Sequence, residues 1–252
     1  GLISPATYLE TLARQITRHL RTPGRHHQTV SQSSFDAWTR YYKQDENSPN
    51  ALVSYYTKGS LVALAIDLTI RHKTQEQHSL DDVMRLMWKR FGRDFYTSDA
   101  KGLREKEFPA VVKEVTGVDV YAEVQAWAYG RLDIPLEKLF AQHGITMQWN
   151  ATSKVPSTGM RLRKQGEHQV ISTVLEHGPA HQAGLSAHDV IVAVNGLKVD
   201  ASGATMDALL AHYQPGDRLS VHVFRRDELR VFDIKLAEPS RSECKLTLAT
   251  KP

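Results

Sequence analysis

Apolar residues recur at Tyr8, Leu9, Leu12, Ile16 and Leu20, three and four positions apart, which predicts a helix that buries one face. Ser4-Pro5 supplies a hydroxyl cap and a proline for its first turn, and Thr22-Pro23-Gly24 ends it. A second helix is predicted from Ser54 to Arg71. Its stretch Leu61-Val-Ala-Leu-Ala-Ile66 is apolar on nearly every side, so it should be covered all round. Ser79-Leu-Asp-Asp82 has the form of a capping box, and Val83, Leu86, Met87, Arg90 and Phe91 carry that helix to Gly92. Glu105 to Val115 and Val120 to Tyr129 give two more, parted by Thr116-Gly117. A short last one, Leu136 to Gln142, stops at His143-Gly144.

After Ile145 the period changes. Short β-branched runs follow: Gln169 to Leu175, Asp189 to Val194, Arg218 to Phe224 and Arg230 to Leu236. Gly178-Pro179, Asn195-Gly196, Pro215-Gly216-Asp217 and Arg226-Asp227-Glu228 mark the turns between them. One helix interrupts, Ala204 to Tyr213, with a short turn at Ala180–Ala183. The predicted architecture is multi-domain α and β: an all-helical unit over 1–146, a small β-barrel over 147–240, and a C-terminal tail over 241–252.

Composition narrows the partners. With 252 residues, 41% hydrophobic and 24% charged, the chain is of globular type. The net charge of +4 is shared evenly, 19 Lys/Arg against 17 Asp/Glu in residues 1–144, so no basic face for nucleic acid is expected. The longest apolar run is far short of the ~20 residues of a membrane span. The single cysteine, Cys244, excludes an internal disulfide and any cysteine-based zinc cluster. No signal peptide is visible at Gly1–Pro5, which leaves the compartment open, with the cytoplasm favoured over the periplasm.

The ordered series Gly178-Pro179-Ala180, Ala183-Gly184-Leu185, Asp189-x-Ile191 and Val194-Asn195-Gly196 resembles the PDZ domain. Gly184 and Asn195-Gly196 suit left-handed turn positions, and Asp189 can accept from backbone donors in the turn after it. The order of elements is similar to the permuted, bacterial protease type. That resemblance implies a peptide-binding groove. Ser157-Thr158-Gly159-Met160 would hold the terminal carboxylate of a peptide on its N–H groups. The strand with Met160, Arg161 and Leu162 would form one side, and Met206, Leu209 and Tyr213 the apolar wall. Thr158 stands where the family has a large apolar or aromatic residue. The alternative is a packing module with no free peptide ligand.

Ser34-Phe-Asp-Ala-Trp-Thr-Arg-Tyr-Tyr42, Asp45-Glu-Asn-Ser-Pro-Asn50 and Val53-Ser-Tyr-Tyr-Thr-Lys-Gly59 resemble the glycyl aminopeptidases, metallopeptidase family sixty-one. Leu80 to Gly92 and Val115-Thr-Gly117 continue the likeness over nearly the whole chain. The family implies a thermolysin-like helical domain followed by a PDZ domain. It also implies zinc held by His-Glu-x-x-His, with the Glu as general base, and this motif is absent here. His177 and His181 have the spacing, but Gly178-Pro179 between them forbids the helix. The expectation is therefore a C-terminal piece of a longer aminopeptidase that favours N-terminal Gly or Ala. This chain would bind no zinc or other cofactor and would be inactive by itself. A degenerate paralogue is the second account, and a non-enzymatic PDZ scaffold is the alternative from another class.

Tyr56-Thr57-Lys58-Gly59 is similar to the Tyr-x-Lys-Gly element of zinc aminopeptidases, which makes Tyr56 the candidate oxyanion donor, with Tyr55 as register alternative. Lys58 is expected to cap or solvate its helix, and Gly59 to allow close helix packing. Asp45, Glu46 and Asn47 read as a solvated turn or as a subsite for the substrate's α-ammonium. Phe35, Trp38, Tyr41 and Tyr42 read as core, or else as cleft wall. The partners implied are peptide or protein C-termini and the missing N-terminal catalytic part. Without that part the 54–71 helix would show apolar faces, so self-association is expected.

Overall fold

The computed structural model describes residues 2–97, 99, 101–201 and 204–249. Helix α1 (Pro5–Leu20) starts on Ser4, whose hydroxyl accepts from the Thr7 N–H, and buries Leu9, Ala13 and Ile16. Two short helices missed in the sequence follow, α2 (Val30–Phe35) and α3 (Ser48–Ala51). Helix α4 (Tyr55–Lys73) starts on Ser54, and α5 (Leu80–Met87) starts where Asp82 accepts from the Ser79 N–H. Then come α6 (Phe108–Thr116), α7 (Tyr121–Val124) and α8 (Leu136–Ala141). Gly117 ends α6 at φ 70°, the left-handed conformation its position predicts. The expected helices thus form, but π turns finish two of them, at Trp88–Gly92 and Gln125–Tyr129.

The first unit is not all-helical. Strand β1 (Ile145–Ala151) pairs with β8 (Arg241–Leu248) in an antiparallel ribbon, from Ile145–Leu248 to Ala151–Arg241. The expected tail is therefore a strand over most of its length, and its residues 250–252 lie outside the described residues. Cys244 and Leu246 of β8 sit in the same core as Ile16, Leu61, Val83, Val112 and Phe140. Each such side chain withdrawn from water contributes about 1.5–3 kcal/mol. The Cys244 N–H donates to the Thr17 hydroxyl of α1 at 2.9 Å.

Between β1 and β8 lies the second unit: β2 (Met160–Gln165), β3 (His168–Val174), α9 (Pro179–Ala183), β4 (Val190–Val194), β5 (Leu197–Lys198), α10 (Ala204–Leu210), β6 (Arg218–Arg225) and β7 (Glu228–Lys235). Its sheet runs β2-β3-β4-β6-β7, with β5 beside β4. The sheet is open, where a closed barrel was expected. Beyond β7, Leu236 exchanges hydrogen bonds with Asp217 and Gly216 at 2.8 Å, which continues the pairing of β7 with β6. Among the described residues a single bridge, Ser157 to Ala237, links the two ends. Ile171, Ile191, Val221, Val223 and Ile234 fill this unit's own core. Among the described residues, no helix is long and apolar enough to cross a membrane.

Candidate functional site

The residues before α4 build an aromatic cluster. After α2 the backbone makes a π turn over Ala37–Tyr41, closed by the Tyr42 N–H on the Ala37 carbonyl. That extra residue per turn breaks the helical spacing on which the core reading of the aromatics rests. Phe35 is 90% exposed and Trp38 79%, and Tyr42 is exposed as well, so the core reading fails for these three; Tyr41 is half-buried. The Tyr41 hydroxyl donates to Ser54 Oγ at 2.9 Å, and Ser54 in turn accepts from the Thr57 N–H to cap α4. Tyr55 and Tyr56 occupy the first turn of that helix. The hydroxyls of Tyr42 and Tyr56 are 2.8 Å apart, and those of Tyr42 and Tyr55 3.2 Å.

This network divides the two register alternatives chemically. Hydrogen bonds from Tyr42, and then from Tyr55, hold the Tyr56 phenol below the ordinary tyrosine range. The same contacts, Tyr42 first and Tyr56 second, push Tyr55 well above it. Tyr56 is the exposed member of the pair. An acidified, neutral phenol at the positive end of a helix is suited to donate to a developing oxyanion.

Lys58 does not cap or solvate α4. It is fully buried, and its Nζ finds no hydrogen-bond partner among the described residues. Burial lowers its proton affinity, with Asp133 opposing. Gly59 is not forced by close packing either, since a Cβ there would meet only Val30 Cγ1, at 4.0 Å. His19 of α1 is likewise buried with an unpartnered Nε2, 3.9 Å from Asp133, which Arg25 binds at 3.1 Å. Burial lowers His19 to about 4, against the pull of Asp133. The unfolded chain therefore takes up a proton near pH 6.5 that the fold refuses until about pH 4. Stability should fall by about 3 kcal/mol as pH drops through that window. Urea midpoints at pH 7 and pH 4.5 measure the loss, and His19→Gln should remove most of it. An equal loss in both proteins would assign it elsewhere.

The turn at 45–50 joins the two units. Asp45 accepts from the Asn47 N–H and from Ser48 Oγ, so its carboxylate is spent on the turn itself. Glu46 faces His188 of the sheet unit at 3.7 Å, and His27 lies 2.5 Å from Glu176. Asn50, which the sequence placed in the turn motif without a bridging role, donates to the Val174 carbonyl at 2.8 Å and accepts from the Glu176 N–H at 3.0 Å. Its amide thus pairs with the chain after β3 as a neighbouring strand would. A cleft of about 620 Å³ lies at this junction, lined by His27, Asp36, Arg40, Glu46, Glu176 and His181 among others.

In the second unit the expected groove residues part company. Ser157 is paired with Ala237 through both its N–H and its carbonyl. Thr158 is buried, and its carbonyl accepts from the Ala180 N–H of α9. Gly159 has φ 71°, and a Cβ there would lie 2.8 Å from Pro179 Cδ, so the loop sits tight against α9. Its N–H turns to Ser157 Oγ at 3.3 Å, while the Thr158 N–H has no partner among the described residues. Met160, Arg161 and Leu162 lie half-buried on β2. Met206 is not a groove wall: it is buried in the core beside Leu210. Helix α10 stops at Leu210, so Tyr213 lies beyond it, and its hydroxyl accepts from Asn195 at 2.7 Å. Leu209 is half-buried.

Asp189 binds the Arg225 guanidinium and the Ser186 N–H of the preceding turn, rather than donors in the following one. Gly184, Asn195 and Gly196 take the positive φ values their positions call for. His177 and His181 stand with ring centres 6.1 Å apart, one before α9 and one within it. Among the described residues no three His, Cys, Asp or Glu side chains converge on a metal site.

Residues 1–62 match the sequence profile of the M61 glycyl aminopeptidases, and residues 156–236 that of the PDZ domain. The fold is similar to the crystal structure of an aminopeptidase N family protein from Idiomarina loihiensis, with TM-score 0.87 and 30% identity over 99% of this chain. This chain spans 44% of that structure's length. The Do-like serine protease HtrB of Bacillus subtilis is 27% identical over 96 residues, 36% of this chain and 21% of that protein. A helical region of the M61 glycyl aminopeptidase type and a PDZ domain thus stand in this order in one chain.

Proposed function

We propose that this chain is the oxyanion-stabilising and peptide-binding part of a zinc-dependent aminopeptidase that removes small N-terminal residues such as Gly or Ala. The observation that carries the reading is Tyr56: an exposed phenol, made more acidic by Tyr42, at the first turn of α4 inside the M61-type segment. Its hydroxyl donates to the carbonyl oxygen as the tetrahedral intermediate forms, and Tyr42 holds it in place. Metal ligands and the general base belong to polypeptide outside this chain, so the chain alone is inactive. The PDZ domain binds the C-termini of peptides or proteins on β2.

The test is hydrolysis of glycine and alanine anilides, with and without chelator, by this chain and by its complete reading frame. Chelator-sensitive activity is expected from the complete protein only. Such activity in this chain alone overturns the division of labour. An inactive complete protein that still binds peptide C-termini identifies a non-enzymatic scaffold.

A further inference from the structure

We propose that the open edge of β2 receives peptide C-termini carrying acidic side chains at alternate positions, drawn to Arg161 on the strand and Arg21 at the end of α1. The inference rests on the peptide-binding reading above and adds the class of ligand. Strand β2 is the last of its sheet and pairs only with β3, so one row of its backbone groups faces outward unpaired. A peptide laid along that edge extends the sheet, and its side chains then alternate between two faces. One face holds Met160 and Leu162, which pack on the sheet's core with Leu209 and Tyr213. The other holds Arg161, whose guanidinium reaches the Arg21 carbonyl at 3.5 Å.

Charge then selects the peptide. Arg161 and Arg21 meet at the junction of the two units, and neither has a carboxylate partner among the described residues. Arg163 and Lys164 continue the strand, exposed and also without one. Burial, and then the nearby Arg21, lower the proton affinity of Arg161, a strain that an anion between the two guanidiniums relieves. The C-terminal carbonyl of α1 offsets only part of it. The preference therefore falls on the second-last and fourth-last residues of the peptide, while the last enters the apolar side.

Fluorescence anisotropy with the 252-residue chain tests this with labelled octapeptides ending in Glu-Val-Glu-Val or Gln-Val-Gln-Val, each with a free or amidated C-terminus. The acidic, free-carboxylate peptide is expected to bind about tenfold tighter than its glutamine counterpart at low salt. Arg161→Gln and Arg21→Gln should each cut that ratio to about threefold or less. Arg21→Gln changes an exposed side chain, and melting curves check that the fold is kept. Equal binding of the two free-carboxylate peptides overturns the acidic preference and leaves the peptide-binding reading standing. No binding by either overturns both. Equal binding of the free and amidated acidic peptides shows adhesion by charge alone and overturns the groove assignment.

Discussion

Replacing Gly24 by alanine is expected to cost about 3 kcal/mol of stability, the upper end for overpacking a core. Gly24 is buried in the short helical turn Pro23–His26, and a Cβ there would lie 2.2 Å from the Leu52 carbonyl oxygen and 2.5 Å from its nitrogen. These are backbone atoms and cannot rotate aside. Nor can the segment slide. The Leu52 N–H donates to the Ser48 carbonyl, Gln28 holds the Val53 N–H at 3.0 Å, and Ser33 donates to the Val53 carbonyl at 2.6 Å. The methyl must push away a strand that carries Asn50 on one side and the cap of α4 on the other. Chemical denaturation measures the cost. Gly59→Ala is the control: with no crowding atoms and a helical position, it should stabilise the chain by up to ~1 kcal/mol. Similar small effects for both variants would mean that the Gly24 contact is not tight in solution.

If the proposed activity holds, Tyr56→Phe in the complete reading frame should lower kcat by 10²- to 10³-fold, the range for losing one oxyanion donor. KM should change little, because the lost contact forms with the intermediate rather than with the bound substrate. Tyr42→Phe leaves the Tyr56 hydroxyl in place but removes the group that acidifies it, so its loss should stay below about tenfold. Tyr55→Phe should matter least, since that phenol is half-buried and less acidic. An unchanged kcat for Tyr56→Phe would remove the assignment. A large loss for Tyr55→Phe would transfer it.

What the sequence revealed, and what it hid, follows from the range of the interactions. Helix starts at Ser4, Ser54 and Ser79 and turns at Gly117, Gly184 and Asn195-Gly196 are local, and their residues announce them. Strands β1 and β8 are partners across the whole sheet unit, and nothing in either segment names the other. A closed barrel requires β7 to meet β2, which depends on where Leu236 spends its hydrogen bonds. At the candidate site, resemblance pointed to Tyr56, but the π turn over Ala37–Tyr41, which carries Trp38 into solvent, is one that spacing rules do not register. Lys58 gave a weak signal at most: α4 keeps an exposed stripe at Tyr56, Ser60 and Ala63, so the apolar run from Leu61 to Ile66 did not announce which way Lys58 turns. Asn50 gave none, because an asparagine that grips a distant backbone looks like any turn residue.

The ribbon of β1 and β8 has a consequence for the order in which the protein assembles during synthesis. Helix α1 is made before the sheet unit, yet the strand that covers it, with Cys244 reaching Thr17, leaves the ribosome after the PDZ domain is finished. The helical layer must wait, partly uncovered, while a second unit folds in the middle of it. That finished unit then holds the two halves of the ribbon near each other, which shortens the search that a loop of such length would otherwise impose.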